Sequence, residues 1–227
     1  MKDMINKHKN SILIAISLII VGVVGRLALT GLLPSSPSIY ITLNGITQPL
    51  FMMDMFFVIA IITILSALLL KSYFVFIVPI ATLVISDVLL GNTFIFMFTW
   101  SGFAMIGLLF YLLKSKNKFT IKKAPLLFGS SILGVLIYDF WTNFGSFLGW
   151  YPHTTAGLSM CYTVAIPFTM WHILSTTLAF GLIVMPILYV KEKELLNIDY
   201  SVKPYEKPVA LSLLLFSIAL SVFFIFI

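Results

Sequence analysis

The sequence predicts an all-α integral membrane protein: a bundle of six membrane-spanning helices, then a seventh, C-terminal transmembrane helix. Three observations predict it. The chain is 60% hydrophobic and 10% charged over 227 residues, too little polar surface to cover a soluble core of that size. It holds seven apolar runs that approach the ~20 residues needed to cross about 30 Å of hydrocarbon. Its lysines gather at alternate ends of those runs, as the positive-inside rule requires of a chain that crosses a bilayer repeatedly.

The first run covers about residues 11–32 and follows the basic start "MKDMINKHKN". A basic start and an apolar middle also suit a cleaved signal peptide. Here the run continues through Arg26 to Leu33 with no small-x-small cleavage site, which favours a span. Runs two, three and four lie at about 50–70, 73–91 and 93–113, broken only by "KSY" at 71–73 and "GN" at 91–92. Such tight breaks predict antiparallel helical hairpins. Runs five, six and seven lie at about 124–148, 165–190 and 208–227. The expected organisation is a six-span bundle over 1–190, a cytoplasmic linker at 191–207 and the additional helix at 208–227. No fixed-period repeat and no room for a soluble domain appear between the runs.

Orientation follows from the basic residues. Lys2, Lys7, Lys9, Lys71, Lys114, Lys116, Lys118, Lys122, Lys123, Lys191, Lys193, Lys203 and Lys207 all fall on one side if the N-terminus is cytoplasmic, which is 13 of the 14 basic residues. The opposite loops (33–49, 91–92 and 149–164) contain no Lys or Arg. The expected location is therefore the plasma membrane, multi-pass, with the N-terminus inside and the C-terminus outside. The net charge of +6 needs no nucleic-acid partner, and the single cysteine, Cys161, cannot form an internal disulfide.

The remaining charges carry the functional signal. Arg26, Asp54, Asp87 and Asp139 lie inside apolar runs. Each costs roughly 2.5–3.5 kcal/mol at a helix centre, so four left unpaired would cost on the order of 10 kcal/mol. In the topology above, all four fall in the outer half of their spans, and so does His172 in span six. Five spans agreeing in depth predict one polar cavity open to the outside. Local spacing agrees: Asp139 and Asn143 are i,i+4 neighbours, and His172, Ser175, Thr176 and Ala179 form one small, polar stripe. Gly22 and Thr30 flank Arg26 by one turn each way, and Trp100, Trp141, Trp150, Tyr151 and Trp171 supply aromatic rings at the same depth.

Blander readings stand beside these. Arg26 with Asp87 or Asp139 also suits a structural ion pair, Asp54 a hydrated interfacial acid, and His172 a packing residue. Trp150 and Tyr151 suit an interfacial aromatic belt. A metal site is not expected, because no second His or Cys has ligand spacing. No GxSxG, HExxH, Walker A or GxGxxG motif is present, so neither an enzyme nor a bound cofactor is expected. No inverted repeat of the transporter kind is visible either.

The stretches "PIATLVISDVLLG" and "TNFGSFLGWYPHTTAGLSMCYTVAIPF" resemble an uncharacterised family of small prokaryotic membrane proteins, itself similar to the substrate-binding S components of energy-coupling factor (ECF) transporters. The resemblance covers roughly residues 20–185. It is most specific at "SDVLLG", "TNFG", "YPHTTAGL" and "YTVAIPF", with Arg26, Asp87 and Asn143–Gly145 as matching positions. It implies a six-helix S-component-like bundle with an outward pocket for a vitamin-like micronutrient, partnered by a coupling subunit and ATPases. It also implies that Ser11 and Ala15 on span one offer a small-residue face to that coupling subunit. Two features depart from the family: the seventh run and the loop "LPSSPSIYITLNGITQPL".

The expected substrate-binding residues are then Arg26, Asp54, Asp87, Trp100, Asp139, Asn143, Tyr151, His153 and His172. Gly145, Gly149 and Pro152 would shape the end of span five, with His153, Thr154 and Thr155 capping the opening. Two other classes compete: a membrane enzyme acting on a lipid or isoprenoid with Asp87, Asp139 or His172 as acid or base, and an ion-coupled secondary carrier using Asp54 or Asp87.

Overall fold

In a computed structural model of the protein, the described residues are 2–32, 40–43, 46–49, 53–70, 73–91, 94–116, 119–193 and seven positions between 208 and 219. The chain opens with α1 (Lys2–Thr30), then a short antiparallel hairpin of β1 (Tyr40–Leu43) and β2 (Ile46–Pro49), with Thr42 opposite Thr47. Next come α2 (Phe56–Leu69), α3 (Phe74–Leu90) and α4 (Phe96–Lys116). A 3-10 turn at Ile121–Lys123 leads into α5 (Ala124–Trp150). Finally α6 (Thr155–Ala179) continues through a π turn (Phe180–Val184) into α7 (Met185–Glu192). Because α6 and α7 make one rod, six helical rods are counted among the described residues. The linker from 194 onward and most of the expected run at 208–227 lie outside them.

Among the described residues, four helical stretches are long and apolar enough to cross a membrane: Ser11–Thr30, Phe96–Lys114, Ile121–Trp150 and Thr155–Glu192. The second expected span is shorter than predicted. Residues 46–49 pair as β2, and α2 begins only at Phe56, whose N–H donates to Asp54 Oδ1 at 2.9 Å. With 14 residues, α2 reaches about 21 Å. Its uniformly apolar sequence is explained by position: α2 packs on α1, α3, α4 and α6, and Phe56 and Ile59–Leu68 are all buried. It is the axis around which the other helices stand.

The sixth helix differs in the other direction, starting at Thr155 instead of 165. Thr154 Oγ1 accepts from Gly157 N at 3.1 Å and caps the first turn, so the expected outer loop at 149–164 shrinks to four residues, Tyr151–Thr154. Where lipid replaces water, helices gain little from burying apolar surface against each other and associate through close packing. The α4–α5 interface shows this: a Cβ on Gly145 would lie 2.3 Å from Phe98 Cγ, and one on Gly149 only 1.9 Å from Phe94 Cζ.

Successive helices alternate in direction, so the bundle has two distinct ends. At the lysine-rich end, Lys114 Nζ donates to Ala67 O at 2.6 Å and to Leu70 O, closing the C-terminus of α2. There too, Glu192 Oε2 accepts from Ile121 N at 2.7 Å, capping the start of the fifth rod. The lysine-poor end gathers the polar groups described below. On α1, Ala15 is 4% exposed within the protein's own core and Ser11 is half-buried, while Ile12, Leu13, Ile16 and Ile20 are exposed.

Candidate functional site

Two hydrogen-bonded clusters and one cleft occupy the lysine-poor end. The first cluster joins α1, α3 and α4. Arg26 Nη1 pairs with Asp87 Oδ1 and donates to Ser86 Oγ at 2.7 Å, and Trp100 Nε1 donates to the other carboxylate oxygen, Asp87 Oδ2, at 2.7 Å. The sequence left Asp87 and Asp139 open as partners of Arg26; the structure selects Asp87. Parallel packing of α1 on α3 brings the pair together, and the indole satisfies the oxygen that the guanidinium leaves.

The second cluster joins α2, α5 and α6. His172 Nδ1 lies 2.6 Å from Asp139 Oδ1, and His172 Nε2 lies 2.8 Å from Asp54 Oδ2. The imidazole is stacked as well as bridged, with the Phe56 ring on it at 4.2 Å between centroids. Trp171 Nε1 donates to Asp54 O at 3.0 Å, fixing the chain just ahead of α2. Each imidazole–carboxylate contact requires one hydrogen, so the three groups share two protons in these bonds, whichever atoms carry them.

The two acids of this triad differ. The Asp54 side chain is 40% exposed, whereas Asp139 is 5% exposed, and among the described residues its Oδ2 has no hydrogen-bond partner. Tyr138 stands between the clusters. Its ring packs on Phe56 and Phe103 at 4.7 Å each, and it lies within electrostatic reach of Arg26, Asp54, Asp87 and Asp139.

The cleft opens between the end of α5 and the first half of α6, with a volume of about 420 Å³. Asn143, Ser146, Trp150 and Tyr151 line it on one side, and Cys161, Val164, Ala165 and Phe168 on the other. Asn143 Nδ2 is held by Asp139 O at 2.7 Å, and the Cys161 thiol donates to Asn143 O at 3.3 Å. The expected residues are distributed among the two clusters, the cleft and the turn after α5. Arg26, Asp87 and Trp100 form one cluster, Asp54, Asp139 and His172 the other, and Asn143 and Tyr151 reach the cleft. His153 lies apart, exposed, with Nε2 3.0 Å from Leu148 O and its ring against Phe147. Among the described residues, no group of three or more His, Cys, Asp or Glu is placed to hold a metal ion.

Several participants were missed in the sequence: Ser86, Phe56 and Tyr138 in the clusters, and Ser146, Cys161, Val164, Ala165 and Phe168 in the cleft. A signal existed for the cleft. Asn143, Ser146 and Trp150 keep helical spacing on α5, and Cys161, Ala165 and Phe168 keep it on α6, so each set lies on one face.

A family profile matches residues 6–198, most of the chain. The chain belongs to a family of unknown function, DUF6580. No curated protein and no solved structure matches it. The DUF6580 match takes in both clusters and the whole cleft, and it ends before the apolar run at 208–227.

Proposed function

We propose that this DUF6580 protein is a membrane-embedded substrate-binding subunit that captures a vitamin-like small molecule in the cleft between α5 and α6. On this reading it serves an ECF-type importer whose coupling subunit and ATPases supply the energy. The lysine-poor end faces outward across the plasma membrane, as the positive-inside pattern of the loops directs. One observation carries the reading: a cleft of about 420 Å³, within the range of small-molecule sites, has lining residues one helical turn from Asp139 on α5 and from His172 on α6. Its lining combines three aromatic rings with two orienting polar side chains, Asn143 and Ser146, which suits recognition of a compact organic ligand. The six-rod plan is compatible with the same reading.

Native mass spectrometry of the gently purified full chain tests this. The expected result is a co-purified mass of micronutrient size, lost in Asn143→Ala. A lipid-sized adduct insensitive to that substitution would sink the proposal.

A further inference from the structure

The cleft and the Asp54–His172–Asp139 triad are stacked. Asn143 is four residues beyond Asp139 on α5, and Phe168 four residues before His172 on α6. On both helices the cleft lining therefore lies one turn, about 5.4 Å, from a member of the triad and on the same face. The residues facing each other across the cleft stand directly over the residues facing each other across the Asp139–His172 bond.

That floor is electrically unbalanced. The triad sets two carboxylates against one imidazole, and Arg26 does not offset the excess acid, because its guanidinium is committed to Asp87. No Lys, Arg, Asp or Glu lines the cleft itself. Asp139 Oδ2 is buried without a hydrogen-bond donor, an arrangement that a low-dielectric interior penalises until a positive group is supplied. Trp150, Tyr151 and Phe168 also line the cleft, and aromatic rings attract cations through their quadrupoles. An inorganic ion does not suit the site, since the cleft is many times larger than one and no metal-ligand cluster accompanies it.

We propose that the cleft selects an organic cation, a compact ammonium or similar group on a carbon skeleton, with its charge seated toward Asp139 and its body against the aromatic wall. This names the substrate class of the site proposed above and rests on that reading. Asn143 is a positioning residue here: tied to the Asp139 carbonyl at one end of its amide, it presents its remaining polar atoms to the ligand.

Calorimetric titration of the full chain in lipid nanodiscs tests this with three probes sharing one ring: benzyltrimethylammonium, benzyl alcohol and benzoate. The expected result is saturable binding of the cation, at least tenfold tighter than the alcohol, with no binding of benzoate. Asp139→Asn should then lower the cation's affinity about tenfold and leave the alcohol's unchanged. Asp54→Asn, at the solvent-exposed acid, guards against misfolding of the first variant and should narrow the same ratio severalfold. Nanodiscs of phosphatidylglycerol and of phosphatidylcholine distinguish a free cation, bound equally in both, from a choline headgroup, which would compete only in the second. Equal or tighter binding of the alcohol or of benzoate overturns the cation assignment and leaves small-molecule capture standing. Unchanged cation affinity in both variants overturns the triad as its seat. Saturable binding of none of the three removes the cleft as a ligand site, and the proposed function with it.

Discussion

The two ends of the bundle use charge in opposite ways. At the lysine-rich end, charged side chains meet backbone: Lys114 closes the carbonyls at the end of α2, and Glu192 caps the start of the fifth rod. Each is a local repair of groups that a helix terminus leaves unpaired. At the lysine-poor end, charges meet charges across helices, Arg26 with Asp87 and His172 with Asp54 and Asp139, and one carboxylate oxygen is left over. The difference teaches where to look for function. A buried charge that satisfies a helix end explains itself, whereas a buried cluster that remains polar after internal pairing invites a ligand.

Three substitutions break or sharpen this contrast. The largest effect is expected from Arg26→Ala, which strands the buried Asp87 carboxylate with the Trp100 indole and costs about 3–5 kcal/mol. The double variant Arg26→Met with Asp87→Leu should recover most of that loss, because both charges leave together. Denaturant unfolding in mixed micelles measures both; equal losses in the single and double variants would mean that the pair does not act as a unit. Next is Lys114→Met, which keeps the packed stem but removes two charged hydrogen bonds, at a cost of about 2 kcal/mol. The same unfolding assay reads it. Any co-purified ligand should remain, and its loss would show that the two ends are not separable. Smallest is Glu192→Ala, which uncaps one exposed helix start for about 0.5–1 kcal/mol. A shift in melting temperature larger than that of Lys114→Met would reverse the ranking of backbone caps by burial.

Much of this was legible in the sequence because it is a property of single helices. Lysine placement separated the two ends, and the depths of Arg26, Asp54, Asp87, Asp139 and His172 put them at one level. The i,i+4 spacing of Asp139 and Asn143 anticipated their contact. What stayed hidden depends on pairs of helices. Arg26 chooses Asp87 because α1 stands beside α3, and no local pattern encodes that adjacency. The cleft is formed by the register of α5 against α6, set in part by Gly145 and Gly149 drawing α4 onto α5. The boundary errors share a cause. Hydropathy read 50–70 as a span although the helix begins only at Phe56, and it read 155–164 as loop although a threonine cap starts the helix there.

The sixth rod carries a further consequence. His172, Thr176, Phe180, Val184 and Leu188 are all buried, at unbroken four-residue steps. On an ideal α-helix four residues wind about 400°, so such a row drifts by about 40° per step and would soon turn away from its neighbours. The π turn at Phe180–Val184 winds more slowly and cancels part of that drift. The rod thus works as a phase lock, with the angular setting of Leu188 and Lys191 indexed to His172 by the number of residues between them. At Gly181 a Cβ would meet nothing within 4 Å, so residue identity there is free while residue count is not. Removing one residue from that turn would change how far Leu188 and Lys191 are wound from His172.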